Sequence, residues 1–248
     1  MNTFISYKNY LNKITQNKNS RENYEWSNVW IDSANSEPVT KALLIGDSTI
    51  RMVRSTFSKV ANMPVDMIGT SSPINDILFV ELVDYFFRNC NCKYDYIFIQ
   101  LGHHGRISQY GGAYDDVDFN EFELSFRGLI EYLHQFCDNI IVETVFDSVI
   151  PFKQSFVKDL LLKFNIYQLL YKFNIKKEVY DQSINSITSR KNFIISKIAD
   201  DVDYVMFLDI NEFMNHKPYI HIDHIHFEEN AKKVIARQMF QQIISDIQ

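Results

Sequence analysis

The first residue whose position suits a nucleophile is Ser48. It follows the short apolar run 41–45 through Gly46-Asp47, and the residues after it have helical spacing. A serine at such a strand-to-helix turn lies near the helix N-terminus, where unpaired N–H groups and the helix dipole favour developing negative charge. Serine is also a common helix N-cap, so this position alone leaves a nucleophile and a capping residue open.

A histidine-rich segment near the C-terminus provides a candidate base. Residues 221–227 read HIDHIHF and contain three histidines and one aspartate. Asp223 and His226 are three residues apart. A single turn can therefore direct the carboxylate at one imidazole nitrogen and leave the other to accept a proton from a hydroxyl. Histidine suits this task because its unperturbed pKa of about 6.5 lies near neutral pH.

Two further histidines follow another apolar run. Residues 94–101 (YDYIFIQL) end at Gly102-His103-His104-Gly105. Glycine lets the backbone approach a ligand closely, and a histidine there can donate an N–H group to an oxyanion. Five of the seven histidines fall in these two segments, which makes both segments candidates for a functional site.

Five short apolar runs provide the elements that would position these residues. They are nearly continuous rather than alternating, which is typical of strands buried on both faces of a parallel sheet. Helical patterns separate them, so we predict an α/β fold, a three-layer α/β/α sandwich of the flavodoxin-like kind with a mainly parallel five-stranded sheet. In such sheets functional residues collect at the carboxyl ends of the strands. The runs are 41–45, 65–68, 94–101, 139–146 and 203–210.

Two regions fall outside this alternation. Residues 1–40 are predicted to form an N-terminal helical or irregular extension, with short helices over 1–36 and with Trp26 and Trp30 as anchors. Residues 41–248 are predicted to form the main domain, which carries the candidate catalytic residues. A helical insertion is predicted around 151–182, with one helix over 154–173, and a further helix over 183–199. We expect the insertion to cover a substrate cleft.

Composition narrows the class of protein. The net charge of -6 gives no electrostatic reason to expect a nucleic-acid partner. The cysteines are Cys90, Cys92 and Cys137, an odd number without metal-site spacing, so we expect free thiols in a reducing compartment. Neither a signal peptide nor a membrane span is recognisable in the sequence. These features predict a soluble, cytoplasmic protein, and they leave the oligomeric state open.

Taken together, the motifs resemble those of the SGNH, or GDSL-like, hydrolase family. The resemblance is carried by Gly46-Asp47-Ser48, by Gly69 after the second run, by Gly102 after the third, and by Asp223-x-x-His226 before the last helix. It implies that Ser48 is the nucleophile, His226 its base and Asp223 the residue that orients His226. The implied oxyanion hole uses the N–H groups of Ser48 and Gly69 and a side chain from the loop after the third run.

The third motif departs from the family pattern. The family has Gly-x-Asn-Asp there, with the Asn amide as donor, whereas this chain has Gly102-His103-His104-Gly105 and so places His104 at the Asn position. A neutral imidazole can still donate one N–H group. The remaining candidates for contacts with the substrate are Asp47, Arg51 and His103. Aromatic residues that could stack on sugar rings are Tyr110, Tyr114, Phe152 and Tyr219.

The resemblance implies acyl transfer through a covalent ester on Ser48. Family members act on acetylated sugars, lipids and acyl thioesters, and a fold alone does not choose among these substrates. We expect a serine esterase that acts on O-acetyl esters of carbohydrate and needs no cofactor. An O-acetyltransferase that moves an acetyl group, for example from acetyl-CoA, to a surface polysaccharide stays open as an alternative. So do a metal-dependent hydrolase that uses the histidine-rich loops and a catalytically silent binding module.

Overall fold

The structure is a computed structural model that describes residues 26–32, 40–90, 93–104, 118–149, 180–215, 221–223 and 225–247. Within these residues, strands and helices alternate along the chain. The strands are β1 (Ser27–Trp30), β2 (Ala42–Gly46), β3 (Val65–Thr70), β4 (Tyr96–Gln100), β5 (Ile140–Glu143) and β6 (Val205–Leu208). The helices are α1 (Ser48–Ala61), α2 (Ile77–Asn89), α3 (Phe119–Leu133), α4 (Gln182–Asp201), α5 (Ile210–Asn215) and α6 (Glu229–Ile247).

The strands form one six-stranded sheet in the order β1-β3-β2-β4-β5-β6. Strands β3, β2, β4, β5 and β6 run parallel, whereas β1 pairs antiparallel with β3 at one edge. The register places Gly46 of β2 beside Gly69 of β3 and Gln100 of β4. The carboxyl ends of β2, β3 and β4, and the residues that follow them, therefore meet at the same end of the sheet.

Each face of the sheet is covered by its own apolar core. On one face Leu43 and Ile45 pack with residues of α2, α3 and α4. On the other face Leu44 and Phe98 pack with residues of α1 and α6. Alternate residues of one strand thus enter opposite cores, as the side-chain period of a strand requires. This gives the predicted three-layer α/β/α sandwich. None of the described helices is long and apolar enough to cross a bilayer.

Aspartate caps begin four of the long helices. Asp47, Asp76, Asp118 and Asp181 precede α1, α2, α3 and α4, and each carboxylate accepts a hydrogen bond from a backbone N–H group in the first turn. Such a cap satisfies donors that have no acceptor within the helix. At α1 the cap is Asp47 rather than Ser48, so the capping role left open for Ser48 is taken by its neighbour.

The amino end of the sheet is held by a buried ion pair. Nζ of Lys41 lies 2.7 Å from Oδ2 of Asp66, whose side chain is fully buried in β3. The hydroxyl of Tyr94 donates to the same oxygen at 2.7 Å, and the N–H group of Asp32 donates to Oδ1 at 2.7 Å. One carboxylate therefore ties together the residues next to β1, β2 and β4, at the end of the sheet opposite to Ser48.

All five predicted strands are confirmed, together with the helix over 183–199 and the C-terminal helix. The prediction of short helices is wrong at residues 27–30, which form β1 and belong to the sheet. Their side chains are exposed, so the apolar pattern that reveals a buried strand is missing. Most of the predicted insertion, including the helix over 154–173, lies outside the described residues, as do the four candidate stacking aromatics.

Two of the three cysteines lie among the described residues. Neither Cys90 nor Cys137 is part of a disulfide among the described residues. Burial raises the pKa of the Cys137 thiol to about 11, which keeps it protonated and chemically inert.

Replacement of Asp66 by asparagine is expected to destabilise the protein. Removing one charge of a buried pair leaves Lys41 without compensation, which costs about 3–5 kcal/mol of unfolding free energy. Urea denaturation measures this loss. Asp138→Asn, at an exposed position before β5, is the matched control and should change stability little. Equal stabilities of the two variants would show that the Asp66 pair contributes nothing.

Candidate active site

Ser48 is the first residue of α1 and lies at the carboxyl end of β2. The Asp47 carboxylate caps the helix by accepting from the N–H group of Thr49 at 2.9 Å. Gly46, just before, has no room for a side chain, because a β-carbon there would lie 2.6 Å from the carbonyl oxygen of Gln100. The tight turn from β2 into α1 thus depends on Gly46 and Asp47. In this turn the Ser48 hydroxyl points toward a residue near the C-terminus of the chain.

That residue is His226. Its Nε2 atom lies 2.6 Å from Oγ of Ser48, and its Nδ1 atom lies 2.5 Å from Oδ2 of Asp223. The structure therefore brings together the serine, histidine and aspartate that the sequence analysis singled out. In this arrangement Nδ1–H donates to the carboxylate, and Nε2 is left to accept the hydroxyl proton of Ser48.

Hydrogen bonds within the loop hold Asp223 and His226 in place. Oδ1 of Asp223 accepts from the N–H groups of Ile225 at 2.9 Å and of His226 at 2.8 Å. The N–H group of Ile222 donates to the carbonyl of His226 at 2.7 Å. Phe227 then packs against Phe146, with ring centroids 5.0 Å apart. These contacts fix the imidazole relative to α6 and to the sheet.

The Asp223 carboxylate is held in its charged form. Its burial would raise the pKa, but hydrogen bonds from the His226 side chain and from the N–H groups of Ile225 and His226 outweigh burial and lower the pKa below its ordinary range. An ionised Asp223 keeps Nδ1 of His226 protonated and stabilises the imidazolium that forms when Nε2 takes up a proton.

The hydrogen-bond ladder directs the N–H group of Gly69 away from Ser48. Val65 and Ser71 are each an even number of residues from Gly69. The N–H group of Val65 donates to the Asp32 carboxylate and that of Ser71 donates to the Trp26 carbonyl, both on the β1 side of the strand. Gly69 lies opposite Asn28, and ladder directions alternate with every residue, so its N–H group also faces β1. The predicted oxyanion donor at Gly69 is therefore engaged by the edge strand that the sequence analysis did not foresee.

The N–H group of Ser48 and the turn that carries His104 lie at the same end of the sheet. The first N–H groups of a helix have no acceptor within that helix, and Ser48 is the first residue of α1. His104 is half-buried in the turn after β4, the strand next to β2. Gly102 in this turn has φ of 151°, a conformation that favours glycine. Gly105, the last residue of the altered motif, lies outside the described residues.

The other candidates for substrate contacts differ in exposure. Asp47 is fully buried and caps α1, and His103 is 2% exposed, so neither is presented to solvent as their predicted role requires. Arg51 is exposed one turn after Ser48, and its guanidinium lies 4.6 Å from the ring centroid of Trp26. Of the three, Arg51 alone is exposed for contact with a substrate.

A buried polar chain that the sequence analysis missed lies beneath the nucleophile. The Thr49 hydroxyl lies within hydrogen-bond distance of Asp47 and of Oε1 of Gln100. Nε2 of Gln100 in turn donates to the carbonyl of Thr144 at 3.1 Å and to Oε2 of Glu143 at 3.3 Å. Each of β4 and β5 thus ends in one buried polar residue after an apolar run. A polar residue at the end of an apolar run is the sequence signal that could have revealed Gln100 and Glu143.

The histidine-rich loops do not converge on a metal site within the described part of the chain. No group of three or more histidine, cysteine, aspartate or glutamate side chains there is arranged to hold a metal ion. His221 packs on the ring of Phe227 with centroids 4.2 Å apart. His224 lies outside the described residues.

Solved structures of known proteins share this fold. Axe2, an acetylxylan esterase from Geobacillus stearothermophilus, matches with a TM-score of 0.52 and 16% identity, over 83% of this chain and 94% of its own. The acetyl xylan esterase AlAXEase matches with a TM-score of 0.52 and 16% identity, over 82% of this chain and 99% of its own. The chain has the fold of these acetylxylan esterases.

The catalytic domain of a transferase has the same fold. The C-terminal catalytic domain of peptidoglycan O-acetyltransferase A from Streptococcus pneumoniae, with a methylsulfonyl adduct, matches with a TM-score of 0.52 and 11% identity, over 84% of this chain and 93% of that domain. No protein-family model and no curated protein matches the sequence. At these identities the likeness establishes the fold, and the chemistry depends on the site.

Glu143 is expected to make stability depend on pH. Its burial raises the pKa to about 8 from an ordinary value of 4.5. Between these values the folded state holds a proton that the unfolded state has lost, so the unfolding free energy falls as the pH rises, by up to about 1.4 kcal/mol per pH unit. Glu143→Gln should remove this slope. Urea denaturation across the window checks it, and parallel curves for wild type and variant would contradict it.

Proposed function

We propose that this protein is a serine esterase that hydrolyses O-acyl esters, chiefly O-acetyl esters of carbohydrate. Ser48 is the nucleophile, His226 the general base and Asp223 the residue that orients His226. The observation that carries this proposal is the 2.6 Å contact between Oγ of Ser48 and Nε2 of His226, because a serine hydroxyl becomes a competent nucleophile when a base is placed to take its proton.

In the proposed reaction, Nε2 of His226 takes the Ser48 proton while Oγ attacks the ester carbonyl carbon. The resulting oxyanion is held by the N–H group of Ser48 and by the His104 side chain. The imidazolium then gives its proton to the departing alcohol oxygen as the carbon–oxygen bond breaks, which leaves an acyl group on Oγ. A water molecule, deprotonated by Nε2, attacks the acyl carbon. The bond from this carbon to Oγ then breaks and the imidazolium returns its proton to Oγ, which releases the carboxylic acid and regenerates Ser48.

The acetyl group is proposed because the matching structures are acetylxylan esterases and an O-acetyltransferase domain. Two structures of Axe2 are of catalytic mutants in which a serine or an aspartate is replaced by alanine. These are the residue types that Ser48 and Asp223 contribute to the present site. Carbohydrate acetyl esters are accordingly the substrate class that we propose for this protein.

An O-acetyltransferase is the second candidate, favoured by the fold shared with the peptidoglycan O-acetyltransferase domain. The two activities differ only in the last step, where a sugar hydroxyl rather than water would attack the acyl carbon. Incubation with an acetyl donor, such as acetyl-CoA, plus a panel of glycans distinguishes them. Acetylated glycan indicates transfer, whereas free acetate alone indicates hydrolysis.

Replacement of Ser48 by alanine is expected to abolish hydrolysis of a generic acetyl ester, because it removes the hydroxyl that contacts Nε2 of His226. Its thermal stability should stay close to that of the wild type. Ser55→Ala, at an exposed position of the same helix, serves as the control and should remain active. Activity in Ser48→Ala that a chelator removes would refute the serine mechanism and favour a metal-dependent hydrolase.

Replacement of His104 by alanine is expected to lower kcat by about 10²-fold, the loss typical of one oxyanion donor. The effect should fall on kcat more than on KM, since the donor acts mainly in the transition state. Steady-state kinetics with an acetyl ester measure both constants. His134→Ala, at the C-terminus of α3, is the control. An unchanged kcat in His104→Ala would exclude His104 from the oxyanion hole.

A further inference from the structure

Helix α4 reaches two of the loops at the carboxyl end of the sheet through polar side chains. Asn185 accepts from the N–H group of Ser148 at 2.7 Å and donates to its carbonyl at 3.0 Å. Asn192 does the same for Val145, at 2.7 Å and 2.8 Å. Both asparagines thus hold the segment that follows β5. These ties are short and involve no charged group.

Lys191, on the same helix, holds the segment that follows β4. Its Nζ atom donates to the carbonyl of Gly102 at 2.7 Å and to the carbonyl of His104 at 3.2 Å. The lysine is 2% exposed, and its ammonium lies 5.2 Å from the centroid of the Phe122 ring. A buried ammonium is expensive to desolvate, and charge-assisted hydrogen bonds to carbonyls offset part of that cost.

The length of the side chain and the shape of the turn fit each other. Strand β4 lies one strand beyond β5, about 4.8 Å further across the sheet, so a side chain longer than asparagine is needed to reach its end. A β-carbon on Gly102 would lie 2.6 Å from Cγ2 of Val145 and 3.5 Å from Cδ of Lys191. The glycine therefore gives the turn the close approach that Val145 requires, and the lysine stem lies at ordinary van der Waals distance.

We propose that Lys191 is a positioning residue of the acyl-transfer site: its ammonium fixes the Gly102–His104 turn and thereby places the His104 side chain beside Ser48. This inference rests on the proposed function, because it assigns the lysine to the proposed oxyanion donor. The altered third motif is then supported by a contact from a distant helix. Lys191 follows His104 by 87 residues and lies in no motif of the sequence.

The test is a double-mutant cycle between Lys191→Met and His104→Ala, with kcat and KM measured on an acetyl ester. Methionine keeps the length of the side chain and removes the donors and the charge. We expect Lys191→Met to lower kcat about tenfold or more while KM changes little. The double variant should be hardly slower than His104→Ala, because both changes remove the same interaction. An unchanged kcat in Lys191→Met, or additive losses, would overturn the proposal.

Two further measurements distinguish a positioning role of Lys191 from general stabilisation of the fold. Asn185→Leu removes comparable hydrogen bonds from the same helix, so it should lower stability without the selective loss of kcat. A loss of kcat equal to that of Lys191→Met would show that Lys191 only stabilises the fold. Histidine side-chain nitrogen NMR reports the His104 imidazole without any turnover. Its signal, assigned by its absence in His104→Ala, should shift in Lys191→Met and stay unchanged in Asn185→Leu.

The NMR readout also separates failure of the Lys191 proposal from failure of the proposed function. A shifted His104 signal in a protein that hydrolyses no acetyl ester would refute the proposed function while the Lys191 contact stands. An unshifted signal in an active enzyme would refute the role of Lys191 alone. If Lys191→Met does not fold, Lys191→Gln, which keeps N–H donors without the charge, is taken through the same measurements and should show an intermediate loss of kcat.

Discussion

The contact between Oγ of Ser48 and Nε2 of His226 is the interaction on which the proposed chemistry depends. It joins two residues that are 178 positions apart in the sequence. Neither residue has an unusual local structure: one begins a helix, and the other ends a short loop. The contact exists because α1 and α6 lie side by side on one face of the sheet, where Phe57, Ile235 and Met239 share a core. Packing at this face therefore controls the geometry of the site.

The two ends of the sheet have different electrostatic organisation. At the amino end the Asp66 carboxylate is paired with Lys41 and fully hydrogen-bonded, which is an arrangement suited to stability. At the carboxyl end the aspartate and the imidazole are paired, and Glu143 is buried with a raised pKa. A buried carboxyl group with a raised pKa is costly to ionise, and such groups are frequent at functional sites.

Much of the fold could be predicted from sequence because its strands are buried on both faces. Runs such as 41–45 and 139–146 are recognisable by their continuous apolar residues, and an interior parallel sheet needs such runs. Strand β1 could not be found in this way, since all of its side chains are exposed. The orientation of the Gly69 N–H group toward this edge strand was likewise not foreseen.

The residues of the candidate site that belong to a local sequence motif could be predicted. The residues that only packing brings to the site could not. Asp223 and His226 are linked by their spacing, and Ser48 follows a strand. Gln100, Glu143 and Lys191 belong to no motif. Strand order brings Gln100 and Glu143 together, and helix packing brings Lys191 to the turn after β4.

Trapping of the acyl-enzyme tests the central claim most directly. The protein is mixed with an acetyl ester, quenched in acid within the first turnovers and digested, and the peptide that contains Ser48 is analysed by mass spectrometry. The proposed mechanism predicts a mass increase of one acetyl group on Ser48 in the wild type and none in His226→Ala, where the base is missing. Turnover without acetylated Ser48, or acetylation of another residue along the reaction path, would contradict it.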